Sequence, residues 1–189
     1  MNHQIIDNQE FNGTQFTSDS ISSEYEVCSF INCDFSSVNL TEVTFEECEF
    51  IGCNFTNVII KKTGFKDVLF TECKLMGMHF SNANPFLLEM SFDTCQLDYA
   101  SFYQLKLAKT RFNKCSLKEA DFVETDLNNA VFDECDLYGS TFEQSDLTNA
   151  DFRTAKNYNL DPDLNTMTKA KFSVQGLAGL LDKHRLDIK

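Results

Sequence analysis

The chain of 189 residues is 42% hydrophobic, contains 19 Phe and no Trp, and carries a formal net charge of −13. This length suits a single domain, and the acidic balance disfavours binding to nucleic acid or to an anionic membrane while favouring basic partners. No stretch is long and apolar enough to cross a bilayer, and the segment from Met1 to Asp7 lacks the basic region and apolar run of a signal peptide. We therefore expect a cytoplasmic protein whose cysteines stay reduced.

Residues 1–24 are the first predicted element, an N-terminal cap with one partial coil of the repeat that follows. Phe11, Phe16 and Ile21 are spaced five residues apart. The spacing then breaks before Tyr25, so we expect an irregular cap here and regular structure beyond it.

Residues 25–157 contain a five-residue repeat. From Phe30 to Phe80 every fifth residue is Phe, Leu or Ile; after a slip of two residues the series resumes at Phe92 and alternates Phe with Leu as far as Phe152. The residue two positions before each of these centres is mostly small or β-branched. Neither position carries a charge, and the acids and bases occupy the other three positions of each five.

This period predicts a four-sided solenoid. Two inward residues separated by one outward residue form a short piece of strand, and the remaining residues turn a corner. Four sides close a coil of roughly 20 residues, and the coils stack as parallel strands about 4.8 Å apart. Residues one coil apart are identical in two columns, which supports this period. The first column is Phe30, Phe50, Phe70, Phe92, Phe112, Phe132 and Phe152, and the second is Cys33, Cys53, Cys73, Cys95, Cys115 and Cys135.

The two-residue slip lies near residues 84–88, between Phe80 and Phe92, where we expect a small bulge or loop within one coil. Phe86, Leu87 and Leu88 are expected to pack against the adjacent face, with an exposed apolar spot as the alternative.

Residues 119–151 contain ten acids and no Lys or Arg. Stacked coils would place them on about 8 Å of the solenoid axis, or roughly one charge per 1.6 Å for a partner touching half of the perimeter. Duplex DNA carries about one charge per 1.7 Å, so mimicry of DNA is numerically feasible. The alternative is a solvated surface that only maintains solubility. The candidate partner-binding residues are Glu119, Asp121, Glu124, Asp126, Asp133, Glu134, Asp136, Glu143, Asp146 and Asp151.

Residues 158–189 form the last predicted element, a loop followed by a short C-terminal α-helix that caps the solenoid. Ser173 is a candidate N-cap, and apolar residues follow at helical spacing: Val174, Leu177, Ala178 and Leu181, with Leu180 widening the apolar surface. Gly176 and Gly179 allow a close backbone approach. This helix is either the end cap of a monomer or a contact between two copies.

Catalytic and metal chemistry finds little support in the sequence. All the cysteines occupy the inward small position and none has the Cys-x-x-Cys spacing of a zinc site. His3, His79 and His184 are scattered, and neither a phosphate-binding loop nor a nucleophile motif is present. The phenylalanines would fill the interior and leave little volume for a substrate. We therefore predict a protein that is not an enzyme and that uses neither cofactor nor metal.

Segments such as Ala120 to Glu124 and Ala150 to Thr154 resemble the motif of the pentapeptide-repeat family, Ala-(Asp/Asn)-Leu/Phe-x-x, and the resemblance extends over residues 25–157. It implies an all-β fold, a right-handed quadrilateral parallel β-helix. It also implies a twofold homodimer through the C-terminus, with Val174, Leu177, Ala178, Leu180 and Leu181 in the interface.

A narrower resemblance concerns the segment from Phe30 to Phe35 and the acidic charge, which are similar to the quinolone-resistance branch of that family. This implies a DNA mimic that binds DNA gyrase or topoisomerase IV and protects it from quinolones. The alternative is a scaffold or interaction module with an unrelated protein partner.

Overall fold

The computed structural model describes residues 5–187, and its described strands form one ten-stranded sheet in which every pairing is parallel. The strands are β1 (Ile5–Asp7), β2 (Glu10–Asn12), β3 (Glu24–Glu26), β4 (Ser29–Ile31), β5 (Thr44–Glu46), β6 (Glu49–Ile51), β7 (Gly64–Thr71), β8 (Leu88–Asp93), β9 (Arg111–Asn113) and β10 (Val131–Asp133). Phe30 pairs with Phe50 and Phe50 with Phe70, so the coil has the predicted length. The fold is the all-β, four-sided parallel β-helix that the repeat predicted.

The coil has four faces, which we number by the inward residues of one turn: face 1 contains Phe30, face 2 Phe35, face 3 Leu40 and face 4 Phe45, each with its stacked counterparts. Faces 1 and 4 carry the strands, whereas faces 2 and 3 are held by isolated parallel bridges such as that between Asp34 and Asn54.

Stacked aromatic rings fill the interior. On face 1 the Phe112 ring lies 5.2 Å from Phe92 and 5.0 Å from Phe132, nearly parallel to both. Rings of adjacent faces meet edge to face, as Phe112 does with Phe122 at 5.9 Å. Both geometries are favourable for aromatic pairs. These residues are fully buried and belong to one continuous core.

The cysteine column stacks as predicted on face 2, and its thiols tie successive coils together. The Sγ atom of Cys53 donates to the carbonyl of Phe30 at 3.2 Å, and that of Cys73 donates to the carbonyl of Phe50 at 3.3 Å. Hydroxyls do the same at equivalent positions of faces 3 and 4, where Ser140 donates to Leu117 at 2.5 Å and Thr125 to Phe102 at 2.9 Å. The inward small position therefore serves as filler and as hydrogen-bond donor.

Ordinary residues make most of the corners. The residue two positions after a centre takes a positive φ, for example Glu42 (63°), Lys62 (56°) and Glu124 (55°). Non-glycine residues pay a modest energy cost in this left-handed region. Each such corner is held by backbone hydrogen bonds between coils, such as that from the Glu124 amide to the Glu143 carbonyl at 2.8 Å.

The first described coil is more regular than the predicted irregular cap. β1 pairs with β3 and β2 with β4, and the Phe11 ring stacks on Phe30 at 5.1 Å. Ile6 pairs with Tyr25, so this coil is one residue shorter than the others. The missing residue explains why the five-residue spacing breaks before Tyr25.

The slip is absorbed at one corner. A 3-10 turn at Phe80–Asn82 precedes the loop, and a register shift lies in β7 between Phe65 and Val68. Leu87 is half-buried against Gly64, in line with the expectation, but the expectation was wrong for Phe86, which is 93% exposed. The Phe86 amide donates to the side chain of Asn84 at 3.1 Å, and this turn directs the ring away from the core.

The C-terminal helix is a 3-10 helix, Val174–Leu180, followed by a 3-10 turn at Asp182–His184, where the sequence predicted an α-helix. The Leu181 amide donates to Ala178, three residues earlier. A helix this short with two internal glycines gains little from α-helical cooperativity, and the tighter turn suits it. Ser173 caps it as predicted, since its Oγ accepts from the Gly176 amide at 3.2 Å. Phe172 stacks on Phe152 beneath it at 5.4 Å.

Candidate acidic interaction surface

The solenoid distributes the ten predicted acids over all four faces instead of gathering them on one. Asp133, Glu134 and Asp151 lie on face 1, Glu119 and Asp136 on face 2, Asp121, Glu124 and Glu143 on face 3, and Asp126 and Asp146 on face 4. Residues close in sequence follow the perimeter of a coil, so a contiguous acidic block forms a belt around the axis.

Several of these acids hold their own turns. Asp121 accepts a hydrogen bond from the Val123 amide at 3.0 Å, and Asp146 accepts one from the Thr148 amide at 2.9 Å. The acids that share this arrangement are Asp121, Asp126, Asp136, Asp146 and Asp151. An Asp or Asn side chain that accepts from a backbone amide two residues on stabilises a turn. This explains the Asp/Asn position of the repeat, and it means that these carboxylates have a structural role.

Asp151 is also paired with cations. Its carboxylate accepts from the Arg153 guanidinium at 2.7 Å, with Lys171 3.9 Å away. The hydrogen bonds from the Arg153 side chain lower the pKa of Asp151 from its ordinary value. The predicted acids that are exposed are the glutamates Glu119, Glu124, Glu134 and Glu143, of which Glu124 accepts hydrogen bonds from Tyr103 and Gln104.

A second acidic zone, which the sequence reading did not single out, lies on face 4 and its corner with face 1 in the first coils. Asp7 pairs in register with Glu26, and Glu26 with Glu46, so these three form one column. The zone, which we call the N-terminal acidic strip, consists of Asp7, Glu10, Glu24, Glu26, Glu46, Glu47, Glu49 and Asp67. The signal was present in residues 1–60, which contain no Lys or Arg, and in the coil-length spacing between Glu26 and Glu46.

Basic residues separate the two acidic zones. Lys66 ends the column and forms an ion pair with Glu46. Two coils further along the same side lie Lys106, Lys109 and Arg111, all exposed. The side formed by faces 4 and 1 therefore changes from acidic to basic along the axis.

At the C-terminal end, the predicted interface residues divide into two groups. Val174 is 80% exposed, Leu177 44% and Leu181 38%, and Ala178 is also exposed, whereas Leu180 packs against the core. The exposed side chains form an apolar surface on the outside of the 3-10 helix, and Leu180 anchors the helix to the last coil.

The thiols are inaccessible: all the cysteines are buried and free. Burial raises the pKa of Cys48 to about 12, so this thiol stays protonated and unreactive at neutral pH. Within residues 5–187, no group of three or more His, Cys, Asp or Glu side chains is arranged to hold a metal ion. In the same range, no helix has the length and apolar character of a membrane span.

Comparison with known proteins agrees with this geometry. The family described as pentapeptide repeat region matches residues 23–102 and 86–161. HetL, a pentapeptide repeat protein involved in heterocyst differentiation regulation from the cyanobacterium Nostoc sp. strain PCC 7120, is 16% identical with a TM-score of 0.56, over 92% of this chain and 86% of that chain. QnrB1, a plasmid-mediated fluoroquinolone resistance protein, is 18% identical with a TM-score of 0.42, over 97% of this chain and 100% of that chain.

Comparison with curated proteins gave no match. At the identities found, the similarity to HetL concerns the fold alone. The family match covers most of the sequence and agrees with the stacked columns and the coil length. The chain belongs to the pentapeptide-repeat family.

Proposed function

We propose that this protein is a non-enzymatic DNA mimic, which presents carboxylates in place of phosphates to the basic DNA-binding surface of a protein partner. The partner we propose is a type II topoisomerase, DNA gyrase or topoisomerase IV, which the protein protects from quinolones. The observation that carries the proposal is the in-register column of carboxylates at Asp7, Glu26 and Glu46, with further acids on both sides.

The spacing of these charges supports mimicry. Stacked coils are about 4.8 Å apart, so the N-terminal acidic strip extends over about 15 Å of axis with roughly one carboxylate per 2 Å. Duplex DNA carries about one charge per 1.7 Å. The coils fix this spacing, because the backbone of every acid in the strip belongs to a rigid coil.

Most of the strip is free to bind. Among its members only Glu46 takes part in an ion pair within residues 5–187, and Glu10, Glu47 and Glu49 are exposed. Surface carboxylates of this kind steer a basic partner and form contacts that salt screens. Binding should therefore weaken steeply as ionic strength rises.

The proposal includes a homodimer formed through Val174, Leu177, Ala178 and Leu181. The exposed apolar row on a rigid cap is suited to an isologous contact, since the same surface meets itself about a twofold axis. Such a dimer would place the belt of acids at residues 119–151 on both sides of its centre, with one N-terminal acidic strip at each end.

A second candidate is an interaction scaffold with a partner unrelated to topoisomerases. It is favoured by the distribution of the belt over four faces and by the role of Asp121 and Asp146 in their own turns. Those two features need no DNA-binding partner to explain them.

The experiment is a gyrase supercoiling assay with and without a fluoroquinolone, titrated with the purified protein. We expect protection, and we expect the triple variant Glu24→Gln, Glu26→Gln, Glu47→Gln to lose most of it and to show a shallower salt dependence. The matched control is Glu72→Gln, Glu89→Gln, Asp163→Asn, which removes the same charge from scattered positions and should retain protection.

Quinolone inhibition that stays unchanged at every protein concentration would reject the topoisomerase proposal in favour of the scaffold. Equal loss in both triple variants would show an effect of net charge and reject a role for the strip.

A further inference from the structure

The two ends of the solenoid differ in how they are covered. At the C-terminal end, Phe172 stacks on the last phenylalanine of face 1 and Leu180 packs against the core beneath the 3-10 helix. At the N-terminal end, no element within residues 5–187 lies over the first coil, because β1 pairs only with β3 and β2 only with β4.

The backbone of the first coil leaves a row of polar groups facing this end. The Ser29 amide donates to the Gln9 carbonyl at 2.9 Å, and the Gly13 amide donates to the Ile31 carbonyl at 2.8 Å. This register points the amides of Glu10 and Asn12 the opposite way, along the axis and out of the solenoid. The bridge between Gln15 and Asp34 likewise directs the Gln15 amide out of the solenoid. The amides of Glu10, Asn12 and Gln15 have no hydrogen-bond partner among the described residues.

The same end exposes part of the apolar core. The Phe11 ring stacks on Phe30 with one side, and it is only half-buried, whereas Phe30 is completely buried. Ile6 and Ile21 are also half-buried. Each of these is an inward centre of the first coil, and among residues 5–187 none of them has a side chain stacked on its outer side, as its counterpart in the next coil has.

The charge around this end identifies what can bind there. Asp7, Glu10 and Asp19 are exposed, and none of them forms an ion pair within the described residues. A second copy of this end would bring like charges together, which disfavours a contact between two N-terminal ends. A partner with Lys or Arg would be attracted instead.

We propose that the N-terminal end of the solenoid binds a basic peptide segment of a partner protein, which follows the first coil around its corners and pairs with it in parallel. Its carbonyls would accept from the free amides, its inward apolar side chains would cover Phe11 and Ile6, and its outward Lys or Arg side chains would face the acids. Strand addition of this kind derives affinity from main-chain hydrogen bonds and specificity from alternate side chains.

The test uses the full chain and a fluorescein-labelled peptide of three Val-Lys-Val-Lys-Lys repeats, whose apolar residues match the inward positions of the coil, with binding followed by fluorescence anisotropy. The variant Gln15→Pro removes one outward amide without breaking a hydrogen bond inside the protein, and Pro is tolerated on an edge strand. The control is Gln15→Ala. We expect Gln15→Pro to weaken binding about tenfold and Gln15→Ala to leave it nearly unchanged, as the loss of a hydrogen bond predicts.

A peptide of three Val-Glu-Val-Glu-Glu repeats should not bind. Equal binding of the Lys peptide to both Gln15 variants, or no binding at all, would overturn the proposal. If Gln15→Pro fails to fold, amide hydrogen exchange of the unmodified chain provides the test. Added peptide should slow the exchange of the Glu10, Asn12 and Gln15 amides. Unchanged exchange rates at these amides would refute strand addition. Because Gln15→Pro keeps every carboxylate, it should retain quinolone protection, which separates this test from that of the proposed function.

Discussion

Gly179 lies so close to Tyr158 that a Cβ atom added to it would clash with the Tyr158 carbonyl oxygen. Its own carbonyl accepts from the Leu160 amide at 2.9 Å, which fastens the C-terminal cap to the last coil. We predict that Gly179→Ala displaces the 3-10 helix and destabilises the protein by about 1–3 kcal/mol, as overpacking does. Urea unfolding measures the loss; Ala178→Ser, at an exposed neighbour, is the control and should change stability by less than about 0.5 kcal/mol.

A second prediction concerns the column of stacked phenylalanines on face 1. Phe112 is fully buried between two stacked rings, whereas Phe86 is 93% exposed. Phe112→Ala should cost about 3–5 kcal/mol of unfolding free energy because it removes a large side chain and leaves a cavity. Phe86→Ala, the same chemical change, should cost less than about 0.5 kcal/mol. Similar losses for the two variants in chemical denaturation would contradict this structure of the core.

The inward small position restricts what can replace a cysteine. Cys73 donates to the Phe50 carbonyl, as Ser145 at its own position donates to the Phe122 carbonyl at 2.6 Å. We expect Cys73→Ser to keep this bond and to cost less than about 1.5 kcal/mol. Cys73→Leu should cost about 1–3 kcal/mol because the added volume has no space between the coils. Thermal unfolding of both variants tests this ranking of stabilities, and a Cys73→Leu variant more stable than Cys73→Ser would contradict it.

We expect the pairing of Asp151 with Arg153 to account for part of the loss of folding stability at low pH. Because the hydrogen bonds from Arg153 lower the folded-state pKa of Asp151 below its unfolded value, the pair contributes stability above the unfolded pKa. That contribution is lost as pH falls through the lowered pKa, below the ordinary value of 3.8. Asp151→Asn should therefore flatten the decline in stability at the acidic end and have a smaller effect there than at neutral pH. An unchanged pH profile in the variant would disprove the linkage.

The proposed dimer can be tested at its apolar surface. Leu177, on the outside of the C-terminal helix, is 44% exposed, and Ile59, on face 3 of the solenoid, is 52% exposed. In light scattering the unmodified chain should have the mass of a dimer, Leu177→Glu that of a monomer, and Ile59→Glu that of a dimer. A monomeric unmodified chain would exclude the contact.

The columns Phe30 to Phe152 and Cys33 to Cys135 could be predicted from sequence because identical side chains recur at the coil length. The conformation of the corners could not, since Glu42 and Lys62 adopt positive φ without being residues that favour it. We predicted an irregular first coil, whereas the structure has a regular one. The coil is one residue short before Tyr25, and this shift hides its register in the sequence.

The acidic surface was predicted from a run of neighbouring residues, 119–151, and the fold wraps such a run around the perimeter. A continuous patch along the axis is found only by sampling the sequence once per coil, as the register from Asp7 to Glu26 and Glu46 shows. The roles of Asp121 and Asp146 in their turns depend on backbone geometry, which the charge pattern does not contain.

The loop at residues 83–87 has a consequence for how this architecture can change. The register shift beside it is complete within β7 and β8, so Phe70 and Phe92 still stack at 5.4 Å. Extra residues at that corner thus leave the interior undisturbed, and a longer segment inserted there should be accommodated without refolding its neighbours. The protein can gain an appendage at one vertex while its aromatic interior remains continuous from end to end.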